Sequence, residues 1–170
     1  MMTISIRTTL DRVLRNLFHA IILSVTFVGL ANAAEPINTL ERSGVFKHEP
    51  SGIAIRGYDT VAYFTIGEAT LGSDEFTTEW EGATWKFSSQ EHLDLFVASP
   101  EKYAPQYGGY CAYGVAVDSL VKIEGENWDV IDDKLYLNYN ARIQNKWRKK
   151  AEGYIETADG KFAQLLLEEE

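Results

Sequence analysis

Tyr107-Gly108-Gly109-Tyr110-Cys111-Ala112-Tyr113-Gly114 gathers three tyrosines, three glycines and the chain's single cysteine into eight residues. Glycine reaches positive φ without steric cost and lets other backbone come close. Tyrosine supplies a broad apolar ring and a hydroxyl that needs a partner when buried. A thiol among such residues is either a small packed hydrophobe or a soft ligand and nucleophile. The stretch therefore marks both a sharp change of chain direction and the first place to look for a site. A short helix is expected from Cys111 to Val117, starting at the glycines. That would put the Cys111 thiol at a helix N-terminus, where the dipole lowers a thiol pKa.

The flanking segments read as two β-hairpins and their helices. Phe76–Trp80 and Ala83–Ser88 alternate about a two-residue turn, Glu81-Gly82, the pattern of a hairpin. Phe76, Thr78 and Trp80 share one face, and Trp85 and Phe87 share a face of the partner strand. Ser88-Ser89-Gln90-Glu91 has capping-box form with Ser88 as N-cap. Leu93, Phe96 and Val97 then fall on one helical face, with His92 at its border. Pro100 ends that helix, and Pro100–Gln106 carries at most one helical turn to the tyrosine–glycine stretch.

Beyond it, Trp128–Ile131 and Lys134–Asn138 flank Asp132-Asp133 as a second hairpin. Asn140 caps a last helix with Ile143, Trp147 and Ala151 on one face, and Gly153 is the expected stop. Leu165–Glu170 reads as a short helix or a frayed end. Upstream, Ile53–Phe64 is apolar, β-branched and aromatic and reads as a strand interrupted at Gly57. Asp59 follows in a turn and is expected to cap the next segment. No internal repeat or low-complexity segment is legible. The expected class is α+β: a small antiparallel sheet from two hairpins, packed with two or three helices.

The N-terminus has a different character. Arg7, Arg12 and Arg15 precede an apolar stretch from Leu17 to Leu30, and Ala31-Asn32-Ala33 has small-x-small form. These are the parts of a cleaved signal peptide. The stretch is short for a membrane span. Residues 1–33 are assigned to the signal and 34–52 to a leader lying on the domain. Residues 53–155 form the domain and 156–170 a tail. The product is expected to be exported, periplasmic or secreted. Removing Arg7, Arg12, Arg15 and Asp11 from the 16 basic and 25 acidic residues leaves 13 and 24, a balance of −11. Such a charge excludes an electrostatic nucleic-acid binder. One cysteine excludes an intrachain disulfide. Arg142, Lys146, Arg148, Lys149 and Lys150 make one basic cluster within 142–150, read either as a solvated helix face or as a docking patch for an acidic protein partner.

Four motifs occur in order: Gly57-Tyr58-Asp59-x-Val61-Ala62-Tyr63-Phe64, Trp85-x-Phe87-Ser88-Ser89, Phe96-x-x-x-Pro100-x-x-Tyr103 and Gly109-Tyr110-Cys111. Across roughly residues 53 to 155 the chain resembles the YHS-domain family, and most of all its exported stand-alone bacterial members. The resemblance implies a small α+β domain and an association with heavy-metal handling. Metal-linked members carry cysteines in Asp-x-Val-Cys and Phe-Cys-Ser motifs. Here those positions read Ala62 and Ser88, so both cysteines are absent, as is the tripeptide that names the family. For stand-alone members the family implies no defined activity.

Three functions stay open on the sequence. One is a ligand-binding or interaction module, with Tyr107, Gly108, Gly109, Tyr110, Cys111, Tyr113, Asp59, Tyr63 and Trp85 around a small ligand. The second is a soft-metal protein, with Cys111 and His92 (or His48) as thiolate and imidazole ligands for copper or zinc. The third is a thiol-dependent enzyme, with Cys111 as nucleophile and a histidine base.

Overall fold

The structure is a computed structural model that describes residues 34–43 and 47–168. Residues 1–33, read above as a signal peptide, and the His48 side chain lie outside the described part. The class is α+β. Seven helices and three two-stranded antiparallel pairs are present among the described residues. Strands β1 (Leu40–Ser43) and β2 (Lys47–Pro50) pair in the leader. Strands β3 (Ser73–Trp80) and β4 (Ala83–Phe87) pair across Glu81-Gly82, both at positive φ, 50° and 78°. Strands β5 (Trp128–Ile131) and β6 (Lys134–Leu137) pair across Asp132-Asp133, also both positive, 51° and 58°. A turn with positive φ at both central residues matches the twist of the strands it joins.

The segment expected to be an interrupted strand, Ile53–Phe64, is not one. Ala54–Gly57 is a tight turn in which Ile55, Arg56 and Gly57 take φ of 41°, 60° and 77°. After it comes helix α1 (Ala62–Thr65). Composition favoured a strand, but a left-handed turn cannot continue a ladder, and the Asp59 side chain closes the turn that leads into the helix. The Asp59 Oδ1 accepts from the N–H groups of Val61 at 2.9 Å and Ala62 at 3.2 Å, as its turn chemistry leads one to expect.

Helix α2 (Gln90–Ala98) starts one residue later than the capping-box reading has it. Ser89 is the N-cap and accepts from His92 N–H, while Ser88 turns inward. The buried face is then His92 and Phe96 rather than one including Val97, which is 59% exposed. Pro100 opens the one-turn helix α3 (Pro100–Tyr103). Helix α4 (Ala112–Ala116) follows the tyrosine–glycine stretch, with Cys111 as its N-cap. Asn140 caps α5 (Ala141–Arg148) through its side chain. Gly153 does not stop the chain; it lies inside α6 (Ala151–Asp159), and Phe162–Glu168 forms α7.

The same device is built twice. Tyr107, Gly108 and Gly109 repeat the left-handed turn of Ile55–Gly57, with φ of 56°, 58° and 83°. After each turn comes a tyrosine in extended conformation, Tyr58 or Tyr110, and then a residue whose side chain accepts backbone N–H groups at the approach to the next helix, Asp59 or the N-cap Cys111. Next come a short helix, a hairpin with a left-handed two-residue turn, and a helix capped by a polar side chain. The second strand of each hairpin, β4 or β6, packs on the turn that begins its own half. Each cap residue also receives a backbone N–H from just beyond its hairpin. Ser88 N–H donates to Asp59 Oδ2 at 2.8 Å, and Tyr139 N–H to Cys111 Sγ at 3.3 Å. The sequence shows no repeat because the two caps, a carboxylate and a thiol, fill one role with different chemistry.

Two hydrophobic clusters follow from this plan. Trp85, Phe87 and Phe96 centre the first, with Trp80 edge-on to Phe96. Tyr107, Tyr136, Trp147, Ala158 and Leu165 make the second, so the tail helix α7 is part of the core. The leader is integrated too. Asn38 is buried; its N–H donates to Gly108 O and its side-chain amide to Gly109 O. No helix among the described residues is long and apolar enough to cross a membrane.

Candidate functional site

Cys111 is 1% exposed. Its sulfur accepts from Gly114 N–H and Tyr139 N–H, both at 3.3 Å, and lies 3.7 Å from Asn138 Oδ1. Burial pushes the thiol up, and the N–H bonds, which pull the other way, are the smaller effect. A helix N-terminus near Cys111 was legible in the sequence, but the expectation of a lowered pKa is corrected: desolvation of the charged form outweighs the end of a five-residue helix.

A folded-state pKa above the unfolded one stabilises the fold below the ordinary thiol range, and that contribution is lost as pH rises through it. In native protein Cys111 should resist iodoacetamide at neutral pH and react fully once the chain is denatured. Rapid alkylation of native protein, followed by mass spectrometry, would contradict this burial.

The other residues expected around Cys111 are largely occupied by the fold. Tyr107 donates to Asp159 Oδ1 at 2.8 Å and Tyr110 to Glu35 O at 3.0 Å. Tyr63 donates to Gly125 O and Trp85 Nε1 to Trp80 O. Burial pushes the Tyr63 and Tyr107 hydroxyls far above the usual phenol range. Tyr113 is half-buried and bonded to Lys146 Nζ. Gly108 and Gly109 serve close packing rather than an opening: a Cβ on Gly109 would lie 2.4 Å from Ile55 Cγ2.

His92 and Cys111 have separate partner sets. Among the described residues, no three His, Cys, Asp or Glu side chains are grouped so that they could hold a metal ion.

The chemistry gathers instead at the other cap. Asp59 is fully buried, and His92 retains 10% side-chain exposure. The Asp59 carboxylate accepts from Val61 N–H and Ala62 N–H on Oδ1, and from Ser88 N–H and Ser88 Oγ–H on Oδ2. His92 Nδ1 lies 2.6 Å from the same Oδ2. An ionised carboxylate only accepts, so Nδ1 carries the proton and Nε2 is turned the other way.

His92 Nε2 lies 3.1 Å from Thr65 Oγ1. Thr65 is exposed at the end of α1. Its hydroxyl also lies 3.0 Å from Val61 O, so its one proton has two acceptors. A line of hydrogen bonds thus runs from a buried carboxylate through an oriented imidazole to a hydroxyl at the surface. Of its members, only Asp59 and His92 were singled out in the sequence, and in different roles. Thr65 and the inward role of Ser88 were missed; the one local signal was Ser88-x-x-x-His92, an i, i+4 spacing.

Comparison with models of protein families, with curated proteins and with solved structures found no match.

Proposed function

We propose that this chain is an exported YHS-type domain that acts as a binding and interaction module. Its contact site is the His92–Thr65 end of the Asp59 array, and Cys111 is a structural cap. The observation that carries the reading is the hydrogen-bonded line Asp59–His92–Thr65, the part of the described chain where an oriented polar group meets the surface. The resemblance supports the location. The two positions where metal-linked YHS members carry cysteines are Ala62 and Ser88, and both donate to the Asp59 carboxylate. Where those relatives have thiolates, this chain has an internal polar network whose imidazole is linked to the exposed residue Thr65. The acidic balance favours neutral or cationic ligands over anions.

The test is NMR on the full-length mature protein with a library of small neutral and cationic ligands, and with copper and zinc added separately. Shifts are expected at His92 ring protons, Thr65 and Ser89, with the Cys111 amide unmoved. Shifts centred on 107–114 would overturn the reading. Stoichiometric copper or zinc that is lost in Cys111→Ser and kept in Thr65→Ala would restore the soft-metal alternative.

A further inference from the structure

We propose that Thr65 is a nucleophile for acyl transfer, with His92 as its base and Asp59 as the residue that positions the imidazole, so that the domain hydrolyses small carboxylic esters. The inference rests on the site reading above and gives it a substrate class. Three features carry it. The imidazole bridges a carboxylate on Nδ1, at 2.6 Å, and a hydroxyl on Nε2, at 3.1 Å. That is the order of contacts an activated hydroxyl requires: nucleophile to base, base to orienting group.

The base is fixed from the other side as well. Four donors besides the ring hold the Asp59 carboxylate in place, and His92 is part of the first turn of α2, its N–H bonded to the Ser89 cap. Such support keeps a reacting geometry from loosening. Thr65, finally, is an exposed residue, whereas Ser88, which carries the other hydroxyl of the array, is half-buried. Ser88 Oγ lies 2.6 Å from the carboxylate and gives its proton there, while the Thr65 hydroxyl stands between Val61 O at 3.0 Å and His92 Nε2 at 3.1 Å and has to turn from the carbonyl to the imidazole to be activated.

The reaction balances without any external oxidant or metal. The Thr65 proton passes to His92 Nε2 as Oγ1 forms a bond to the acyl carbon. The acyl–oxygen bond of the ester breaks, and the imidazolium returns its proton to the departing alcohol. Water then adds to the acyl-threonine, giving a proton to His92. The carboxylic acid leaves as Thr65 takes that proton back.

Ile66, the next residue in the chain after Thr65, is an exposed apolar side chain, 53% accessible. The acidic balance disfavours phosphate or sulfate esters, which leaves uncharged or cationic acyl esters.

The full chain is incubated with p-nitrophenyl acetate and, separately, with a fluorophosphonate probe. Phenolate release is followed by absorbance and the modified residue is identified by mass spectrometry. Acylation and phosphonylation of Thr65 are expected. Thr65→Ala should lose the label and lower phenolate release about 100-fold, the low end of what a positioned base contributes. Thr65→Ser should retain both, and Cys111→Ser should leave both unchanged. Thr65 is exposed, so neither of its variants should threaten folding.

Release no faster than free imidazole gives, or label on lysine or tyrosine instead, would overturn the inference. Unreactive ligands that still shift His92 would then leave the binding reading standing. Thr65 labelling with no ligand shift at His92 would uphold the nucleophile and overturn the binding reading.

Discussion

Alanine at position 108 should cost the fold about 3–5 kcal/mol, a large part of the whole stability of a domain this size. Two effects combine there. Gly108 sits at φ 58°, and a Cβ built on it would lie 1.8 Å from Pro36 O and 2.9 Å from Pro36 C. The left-handed conformation alone costs a residue with a side chain about 1–2 kcal/mol. The clash adds more, because both neighbours are backbone and cannot rotate away.

Relief requires the leader to lift. That would break the bond from Asn38 N–H to Gly108 O, 2.8 Å, and the one from Asn38 Nδ2 to Gly109 O, 2.9 Å. Gly67→Ala is the control. Gly67 has φ 74° with nothing within 4 Å of the added carbon, so its loss should be about 1 kcal/mol. Denaturant unfolding of the two variants separates strain from collision. Equal losses would mean that the leader is not seated on this turn.

The second large effect belongs to Asp59. Replacing it by alanine leaves the N–H groups of Val61, Ala62 and Ser88, the Ser88 hydroxyl and the His92 ring without their acceptor. Removing one partner of a buried charged array typically costs about 3–5 kcal/mol, because the groups left behind stay desolvated. Asp59→Asn should lose less: it preserves an acceptor for the two N–H groups of α1, but it turns an amide donor toward Ser88 and His92. Circular dichroism through a guanidinium titration measures both. A loss under about 1 kcal/mol for Asp59→Ala would show that water readily replaces the carboxylate, which a fully buried acceptor does not allow.

The parts of the fold that were legible in the sequence are those where one residue type answers one local need. Glu81-Gly82 and Asp132-Asp133 sit between alternating runs, and each makes the left-handed turn a hairpin requires. Asn140 caps the helix it precedes. What was not legible depended on tertiary competition. Ile55 is β-branched and suits a strand, yet it sits at φ 41° in a turn packed under Gly109. Ser88 satisfies a capping-box pattern, but a buried carboxylate recruits it and Ser89 caps instead.

The site was hidden for a related reason. Asp59 and His92 are 33 residues apart with a whole hairpin between them, and neither has a neighbour in sequence that announces the other. The cysteine drew attention through its rarity, but its sulfur is spent on Gly114 and Tyr139.

The twofold recurrence of turn, cap, hairpin and helix has an evolutionary consequence. Because each half closes on its own cap, reactivity can drift in one half while the other continues to hold the backbone. Positions 59 and 111 are therefore separate places at which the acceptor chemistry of this plan can change, each against the loss of the bonds made in its own half.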